Sequence, residues 1–418
     1  MSEVDLSIRQ PALPATTLPL LDRLIGPVAR RQMVEALRHW QVGRLTVHMP
    51  DGEVLHGGAA DATPHVTLWI DSDAFFTKFA LRGDMGAGEA YMDGDWRTDD
   101  LAGFVGLVLR NQSALPLGST LTQWLNAGNN WLHRRRANTR DGSRRNIGAH
   151  YDLSNDLFRT FLDPSMAYSS GVYLSDTDTL EQAQQQKFER WCQTLALSPA
   201  DHVLEIGSGW GGLALHAART RGCRVTGITV SREQLALSTA RAQAEGLDHL
   251  VEFRFCDYRD VQGSFSKVVS IEMIEAVGEE FWPGYFRKID EVLAPGGRAG
   301  IQAITMVDAR FEAYRRQCDW IQKYIFPGGM LPSIGAMVDV TARETRLGLV
   351  GLDDRPIDYA NTLRDWRQRF FTRLDDVRAL GFDERFIRMW DYYLASCEGA
   401  FRTRNLGLLH LVFGRVGE

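Results

Sequence analysis

The residues with the clearest capacity for chemistry lie in the stretch 203–213, Val-Leu-Glu-Ile-Gly-Ser-Gly-Trp-Gly-Gly-Leu. A short apolar run is followed by four glycines within six residues, and an alanine-rich helical pattern comes next. Glycine lets the backbone turn sharply and lets a ligand approach where a Cβ would obstruct it. The start of a following helix offers free N–H groups to an anionic group. The pattern predicts a strand, a tight turn and a helix, with a ligand at the turn.

Two ligand classes fit such a turn. Gly207, Gly209 and Gly212 satisfy the G-x-G-x-x-G spacing of dinucleotide sites. A dinucleotide site also has an acidic residue about 20 positions further on, but the strand predicted there ends in Thr229 with no carboxylate at its tip. Glu205 precedes the first glycine in the E-x-G-x-G order typical of methyltransferases. The motif therefore favours S-adenosylmethionine (SAM), and it leaves open a dinucleotide or a glycine turn without a ligand.

Length, composition and net charge restrict the classes of protein to which the chain can belong. A length of 418 residues predicts two domains, or one large domain with an appendage. The hydrophobic content of 44% is that of an ordinary globular protein, and the net charge of −6 argues against wholesale nucleic-acid binding. Five scattered cysteines without C-x-x-C spacing indicate a reduced, cytoplasmic chain without a metal site. With no long apolar run and no signal-peptide pattern, any membrane contact is expected to be peripheral.

The chain before the glycine turn divides into three predicted parts. Residues 1–18 form a leader, 19–110 a small α+β module without a catalytic constellation, and 111–149 a basic linker. The linker's arginines are Arg134, Arg135, Arg136, Arg140, Arg144 and Arg145. They indicate either a solvated linker or a patch that faces anionic headgroups, which attract basic side chains by about 1 kcal/mol each. No aromatic residues interleave with them to suggest single-stranded nucleic acid.

Residues 150–418 are predicted to form one α/β domain. Strands are expected at 203–206, 224–229, 251–256, 266–271 and 298–304, with helices between them. This alternation implies a doubly wound parallel sheet whose ligands bind at the carboxyl ends of the strands. Two late helices, at 360–379 and 383–403, precede a final strand at 408–413. That order favours the seven-stranded, Rossmann-like class I SAM methyltransferase fold over a dinucleotide domain.

Several short motifs together resemble the cyclopropane-fatty-acyl-phospholipid synthase family. They are His150-Tyr151-Asp152, Tyr168-Ser169-Ser170-Gly171, the glycine stretch, Gly227-Ile228-Thr229-Val230-Ser231 with Gln234, Glu275 with Val277-Gly278, Tyr324 to Gly329, Cys397 to Arg402 and, in the N-terminal module, Tyr91 to Trp96. The resemblance implies transfer of one carbon from SAM to the cis double bond of an acyl chain in a phospholipid. It also implies a homodimer at the inner face of the membrane.

The resemblance assigns residues to the cofactor. Gly207 and Gly209 would pass close to the methionine moiety, Gln234 would lie near the ribose, and Asp257 or Tyr258 near the adenine. The remaining positions expected at SAM are Tyr151, Tyr168, Ser169, Glu205, Trp210 and Thr229. Tyr151, Tyr168 and Ser169 fall where the family closes a lid over SAM.

The resemblance also implies a cradle for a bound bicarbonate, which removes a proton after methyl transfer. Glu275, the backbone of Ile304 and Tyr324 match that cradle. Ser170 stands where the family usually has cysteine, and Gln302 where it has histidine. Both can donate hydrogen bonds to an oxyanion, but neither supplies charge.

These departures leave the product open. If the proton leaves the new methyl group, a cyclopropane ring closes, and this is the leading expectation. If the proton leaves a neighbouring chain carbon, the product is a methylene-bearing or branched-methyl chain, the latter with a reductase partner. A lipid-binding homologue that has lost its chemistry is the third alternative, since the cradle is altered at Ser170 and Gln302.

Overall fold

The structure, a computed structural model, describes residues 19–112, 154–415 and 417. The predicted leader, the arginines of the linker, His150 and Tyr151 lie outside these residues. The described chain forms two compact units. The first contains the residues up to 112 with Gln317–Ile325 and Gly381–Asn405, and the second contains the rest. The sequence interpretation had placed both of those later segments in the α/β domain.

The first unit is an α+β structure. Its elements are α1 (Pro19–Arg38), β1 (Arg44–His48), β2 (Val54–Gly57), β3 (His65–Ile70), α2 (Ala74–Arg82), α3 (Asp84–Met92), β4 (Trp96–Thr98) and α4 (Leu101–Arg110). The four-stranded sheet has the order β2-β1-β3-β4, with β1 and β3 parallel and the other pairs antiparallel. Alternate residues Leu45, Val47, Val66 and Leu68 enter its core, as expected for strands with one buried face.

Helix α3 was not predicted, and its segment contains the two glycines Gly86 and Gly88. In the structure those glycines permit close packing. A Cβ on Gly88 would lie 2.5 Å from the Trp320 ring, and one on Gly86 would lie 2.0 Å from the carbonyl oxygen of Lys78. The glycines are therefore required by neighbouring atoms rather than by a turn.

The second unit carries the seven-stranded sheet. Its elements are α5 (Asn155–Phe161), α6 (Leu180–Thr194), β5 (His202–Ile206), α7 (Gly212–Arg221), β6 (Arg224–Thr229), α8 (Arg232–Ala244), β7 (Val251–Phe255), β8 (Phe265–Ile271), α9 (Trp282–Val292), β9 (Leu293–Met306), α10 (Asp308–Tyr314), α12 (Ile334–Glu344), β10 (Leu347–Asp354), α13 (Pro356–Thr372), α14 (Leu374–Ala379) and β11 (Leu406–Arg415). Helices α11 (Trp320–Tyr324) and α15 (Glu384–Arg402) belong to the first unit.

The strand order of this sheet is β10-β11-β9-β8-β5-β6-β7. Strands β5 to β9 run parallel to one another, whereas β11 is antiparallel to both β9 and β10. The predicted seven-stranded Rossmann-like fold is therefore confirmed. Parallel order brings the carboxyl ends of β5, β6 and β8 to one edge, where ligands bind in such sheets.

Side-chain alternation along β5 explains why helices cover both faces. Leu204 and Ile206 join the core that includes Phe286 of α9. Val203 joins the opposite core with Trp191 of α6. Neighbouring strand residues point to opposite faces, so apolar residues at consecutive positions demand cover on both sides.

The helices differ from the sequence prediction at four further places. Helices α10, α11 and α12 were not predicted, and the single helix expected over 360–379 is divided near Arg373 into α13 and α14. Across the described ranges, no helix combines the length and apolar character needed to cross a bilayer.

Candidate active site

The turn after β5 forms the floor of a pocket in the second unit. Gly207 and Gly209 have φ values of +80° and +51°, a region that favours glycine. A Cβ on Gly207 would approach Met273 Cγ to 2.9 Å, whereas one on Gly209 would meet no protein atom within 4 Å. Gly209 therefore borders space that a ligand can fill.

The pocket gathers most of the residues predicted to bind the cofactor. Those that line it are Tyr168, Ser169, Glu205, Gly207, Gly209, Trp210, Thr229, Gln234, Asp257 and Tyr258. Tyr151 lies outside the described residues. The lining residues come from the ends of β5 and β6, the turn after β5, helix α8, the segment after β7 and the loop between α5 and α6. A set that runs from Tyr168 to Tyr258 in sequence thus borders a single cavity.

Hydrogen bonds already orient several of these side chains. Trp210 Nε1 donates to Asn155 Oδ1 at 2.8 Å, and Thr229 Oγ1 donates to Gln234 Oε1 at 2.8 Å. Asp257 is bound through both carboxylate oxygens by the side chain of Arg259, at 2.8 and 2.6 Å. The Asp257 carboxylate is therefore neutralised by Arg259, which also lines the pocket and was not predicted.

Glu205 is one of the acidic residues that line the pocket. It is buried, and its Oε2 has no hydrogen-bond partner among the described residues. Burial raises the pKa of this carboxyl to about 8, against an opposing effect of the Lys187 charge. SAM carries an ammonium group, so an unpartnered carboxylate oxygen in the pocket suits it by charge and by hydrogen bonding.

Lys187 is a buried cation that the sequence interpretation missed. It is 1% exposed, lines the pocket and donates through Nζ to Ser169 Oγ at 2.6 Å. Burial lowers its pKa to about 8, while the charges of Glu272, Asp163 and Glu205 act in the opposite direction. A signal existed, because Lys187 falls four residues after Ala183 and four before Trp191, on the buried stripe of α6.

Two of the residues predicted to hold an anion, Ser170 and Gln302, donate hydrogen bonds to a side chain of the protein itself. Glu272, the first residue after β8, accepts hydrogen bonds at Oε1 from Ser170 N at 2.9 Å and from Gln302 Nε2 at 2.8 Å. Tyr359 OH donates to Oε2 at 2.6 Å. Trp191 Nε1 donates to Gln302 Oε1 at 3.2 Å and so fixes the orientation of that amide.

Glu272 was not predicted as a site residue. It stands three positions before Glu275, directly after an apolar strand, and borders the cofactor pocket. Two glutamates at the carboxyl end of a parallel strand could have drawn attention to both. Desolvation raises the pKa of Glu272, and the hydrogen bond from Tyr359 opposes that shift.

Glu275 and Ile304 are brought together as predicted, but they bond to each other. Ile304 N donates to Glu275 Oε1 at 2.6 Å. Desolvation, and next the charge of Glu272, raise the pKa of Glu275 to about 8. Glu275, Ser170, Gln302 and Ile304 thus form one cluster beside the SAM pocket, without lining it.

Tyr324 has its contacts in the first unit. Its hydroxyl donates to Glu89 Oε1 at 2.8 Å, and Lys323 Nζ reaches the same oxygen at 2.6 Å. Its assignment to the cradle therefore remains a prediction from the resemblance.

A glycine turn ends the first parallel strand, the last strand is antiparallel, and carboxyl groups with raised pKa values lie at the pocket. This arrangement suits SAM chemistry on an uncharged group. The sequence profile of the family described as mycolic acid cyclopropane synthetase matches residues 138–411. The chain belongs to this family.

Two similar proteins agree with that assignment. Tuberculostearic acid methyltransferase UfaA1 of Mycobacterium tuberculosis is 40% identical over 413 residues, which cover 94% of this chain and 93% of the relative. Cyclopropane-fatty-acyl-phospholipid synthase of Escherichia coli strain K12 is 36% identical, over 87% of this chain and 91% of the relative.

Among solved structures, mycolic acid cyclopropane synthase CmaA1 with SAH and CTAB superposes with a TM-score of 0.60 at 26% identity. The match covers 65% of this chain and 97% of that one. These comparisons confirm the family resemblance, the class I fold and SAM as the cofactor. The protein is a SAM-dependent enzyme that methylates or cyclopropanates lipid acyl chains.

Proposed function

We propose that this protein transfers the SAM methyl group to the cis double bond of an unsaturated acyl chain in a membrane phospholipid and releases a methylene-bearing chain. This places methylation ahead of ring closure, the reverse of the order expected from sequence. The observation that carries the choice is the carboxylate of Glu272, held by three donors, of which Ser170 and Gln302 were expected to hold a free anion.

The product depends on how quickly a proton is lost. Methyl transfer to one alkene carbon leaves a cation on its neighbour. If the new methyl group loses a proton at once, the freed electron pair closes a ring. If a hydride first moves from the methylated carbon to the cationic one, a tertiary cation forms. Proton loss from the transferred methyl group, and not from a neighbouring chain carbon as expected from the sequence, then gives a methylene.

Hydrogen bonds to a carboxylate favour its ionised form and weaken its attraction for a proton. Glu272 accepts such bonds from Ser170, Gln302 and Tyr359. A base held in this way removes the proton more slowly than a free anion would, so the hydride shift has time to occur first. The name of the UfaA1 relative, a methyltransferase matched along most of both chains, supports methylation over ring closure.

Aromatic side chains beside the pocket suit a cationic intermediate. Tyr168 lines the pocket, and its ring lies 5.1 Å from that of Phe158 and 5.2 Å from that of Trp366. A cation over an aromatic face gains about 0.5 to 2 kcal/mol. This cluster can stabilise the cation for the time that rearrangement requires.

A phospholipid substrate requires access to a membrane surface. The name of the Escherichia coli relative specifies acyl chains of phospholipids. We extend this to a cytoplasmic enzyme that docks peripherally on the inner face through the N-terminal module and the linker arginines, as a homodimer. A reductase partner would be needed only to convert the methylene into a saturated branch.

Proton NMR of the lipid product tests the proposal. The protein is incubated with SAM and vesicles of unsaturated phospholipid, and the extracted lipid is compared with that from an incubation without SAM. Vinylidene protons are the expected result. High-field ring protons would overturn the choice of product. Absence of both signals across a range of lipids, with SAM bound, would overturn the substrate assignment. Mass alone is insufficient, because the two products are isomers.

A further inference from the structure

Glu272 adopts a backbone conformation that is unusual for its residue type. Its φ is +50°, a left-handed value that costs a residue with a Cβ roughly 1 kcal/mol or more. Its backbone N–H nevertheless donates to Gln302 O at 2.8 Å, which continues the ladder between β8 and β9. The strained residue is thus fixed at the end of β8, at the border of the SAM pocket.

The donors that would hold a free bicarbonate are already engaged. Ser170 N and Gln302 Nε2 both donate to Glu272, and Ile304 N donates to Glu275. Ser170 Oγ donates to the carbonyl oxygen of Gly171 at 2.9 Å. A further anion would have to displace a carboxylate or lie beside two of them. The residues of this chain therefore do not fit a resident bicarbonate.

The hydrogen-bond donors and the positive charge around Glu272 favour the ionised form of Glu272 over that of Glu275. Glu272 receives three hydrogen bonds, whereas Glu275 receives one through its side chain, and its Oε2 has no partner among the described residues. Lys187 supplies a positive charge that favours ionised Glu272. Of the two carboxyls, Glu272 is the one in a state to accept a proton.

Resting on the proposed methyl transfer, we propose that the Glu272 carboxylate is the proton acceptor of this enzyme and takes the place of a bound bicarbonate. The alkene π pair forms the new bond to the methyl carbon, and the C–S bond breaks with its electron pair left on sulfur. A hydride then moves with its electron pair from the methylated carbon to the cationic carbon. A C–H bond of the transferred methyl breaks, its proton passes to a Glu272 oxygen, and its electron pair becomes the π bond of the methylene. No oxidant or reductant is consumed, and the proton leaves to water after product release.

Bicarbonate dependence tests this assignment. Turnover is measured as SAH released from SAM and unsaturated phospholipid vesicles, in CO₂-depleted buffer with and without added bicarbonate. The unsubstituted enzyme should respond less than about twofold. Glu272→Gly opens the cradle, and glycine tolerates the positive φ. This variant should lose about 100-fold or more, as expected for removal of a general base, and should recover about tenfold or more with bicarbonate.

Glu272→Gln is the matched control, because an amide fills the cradle but cannot accept the proton. It should bind SAM with unchanged affinity by calorimetry, lose turnover and show no rescue. Line broadening of ¹³C-bicarbonate in NMR should appear with Glu272→Gly and not with the unsubstituted protein. Bicarbonate dependence of the unsubstituted enzyme, or turnover retained in Glu272→Gln, would overturn the assignment. SAH release counts either product, so a cyclopropane product would contradict the proposed function and leave this test intact.

Discussion

The backbone N–H of Ile304 donates a 2.6 Å hydrogen bond to Oε1 of Glu275. The same glutamate accepts a hydrogen bond at its backbone oxygen from Met330 N at 2.8 Å. Side chain and backbone of Glu275 thus join the end of β8 to β9 and to the loop before α12. A carboxyl with a single side-chain donor, beside the charge of Glu272, is suited to a neutral, structural state.

The first prediction concerns Glu275 and the pH dependence of stability. The pKa of Glu275 is raised from its ordinary value of 4.5 to about 8 in the folded protein. Its contribution to the free energy of unfolding is therefore fully present below the pKa of the unfolded chain and is lost as the pH rises through the pKa of the folded protein. Unfolding free energy should fall between pH 5 and 8 by up to about 1.4 kcal/mol per pH unit. Glu275→Gln should lack this component in urea unfolding. Glu280→Gln, at an exposed position nearby, should keep it. Equal slopes for both variants would contradict the neutral state.

The second prediction assigns Gly209 to the cofactor. Gly209→Ala should weaken SAM binding by tenfold or more in calorimetry, since the only obstruction to its Cβ would be the ligand. Gly246→Ala is a matched control, because its φ of +67° is also left-handed and its Cβ would also meet nothing within 4 Å. Both variants should lose a similar roughly 1 kcal/mol of stability. Equal SAM affinity in the two variants would show that Gly209 does not contact the cofactor.

The third prediction separates positioning of Glu272 from general packing. Tyr359→Phe removes the hydroxyl that donates to Glu272 Oε2 at 2.6 Å. Loss of a donor to the ionised form should raise the pKa of Glu272, so the activity profile should shift to higher pH while SAM affinity stays unchanged. Tyr173→Phe removes a comparable 2.7 Å bond to Asp365, outside the pocket lining, and should leave the profile in place. A shift of equal size in both variants would refute a specific action on Glu272.

The fourth prediction tests membrane docking through the linker. Binding to anionic phospholipid vesicles should weaken as salt rises and should fall further in an Arg134/Arg135/Arg136→Ala variant, since basic residues near an anionic surface contribute about 1 kcal/mol each. Vesicles of zwitterionic lipid provide the comparison. If vesicle binding changes neither with salt nor with the substitutions, these arginines do not contact lipid and form only a linker.

The sequence allowed the sheet and the cofactor turn to be predicted, because both depend on local patterns. Apolar strands, glycine spacing and strand–helix alternation are properties of neighbouring residues. The hydrogen bonds that Glu272 accepts from Ser170 and Gln302 could not be predicted in this way. Glu272, Ser170, Gln302 and Tyr359 lie up to 189 positions apart, and only the folded chain shows that one carboxylate receives all three donors.

Local sequence patterns also could not show which segments make up the first unit. Gln317–Ile325 and Gly381–Asn405 join it although they are separated in sequence by parts of the second unit. Helix α3 depends on the same long-range packing, since Gly88 is required by the ring of Trp320. A glycine-rich segment that packs against distant side chains cannot be distinguished from a loop by its own sequence.

The last prediction assigns Lys187 the role of counter-charge to the pocket carboxylates. Lys187→Met keeps an apolar chain of similar length and removes the positive charge that lowers the pKa values of Glu272 and Glu205. Both carboxyls should then be harder to ionise, so the activity profile should move by about one unit to higher pH. Lys288→Met, which removes a part-buried lysine that bonds to Val261 O and Glu291, should lower stability without moving the profile. Activity against pH, measured for both variants at saturating SAM, distinguishes the two effects. If Lys187→Met lowers turnover equally at every pH, the lysine acts by packing or by contact with SAM, and the ionisation of Glu272 does not depend on it.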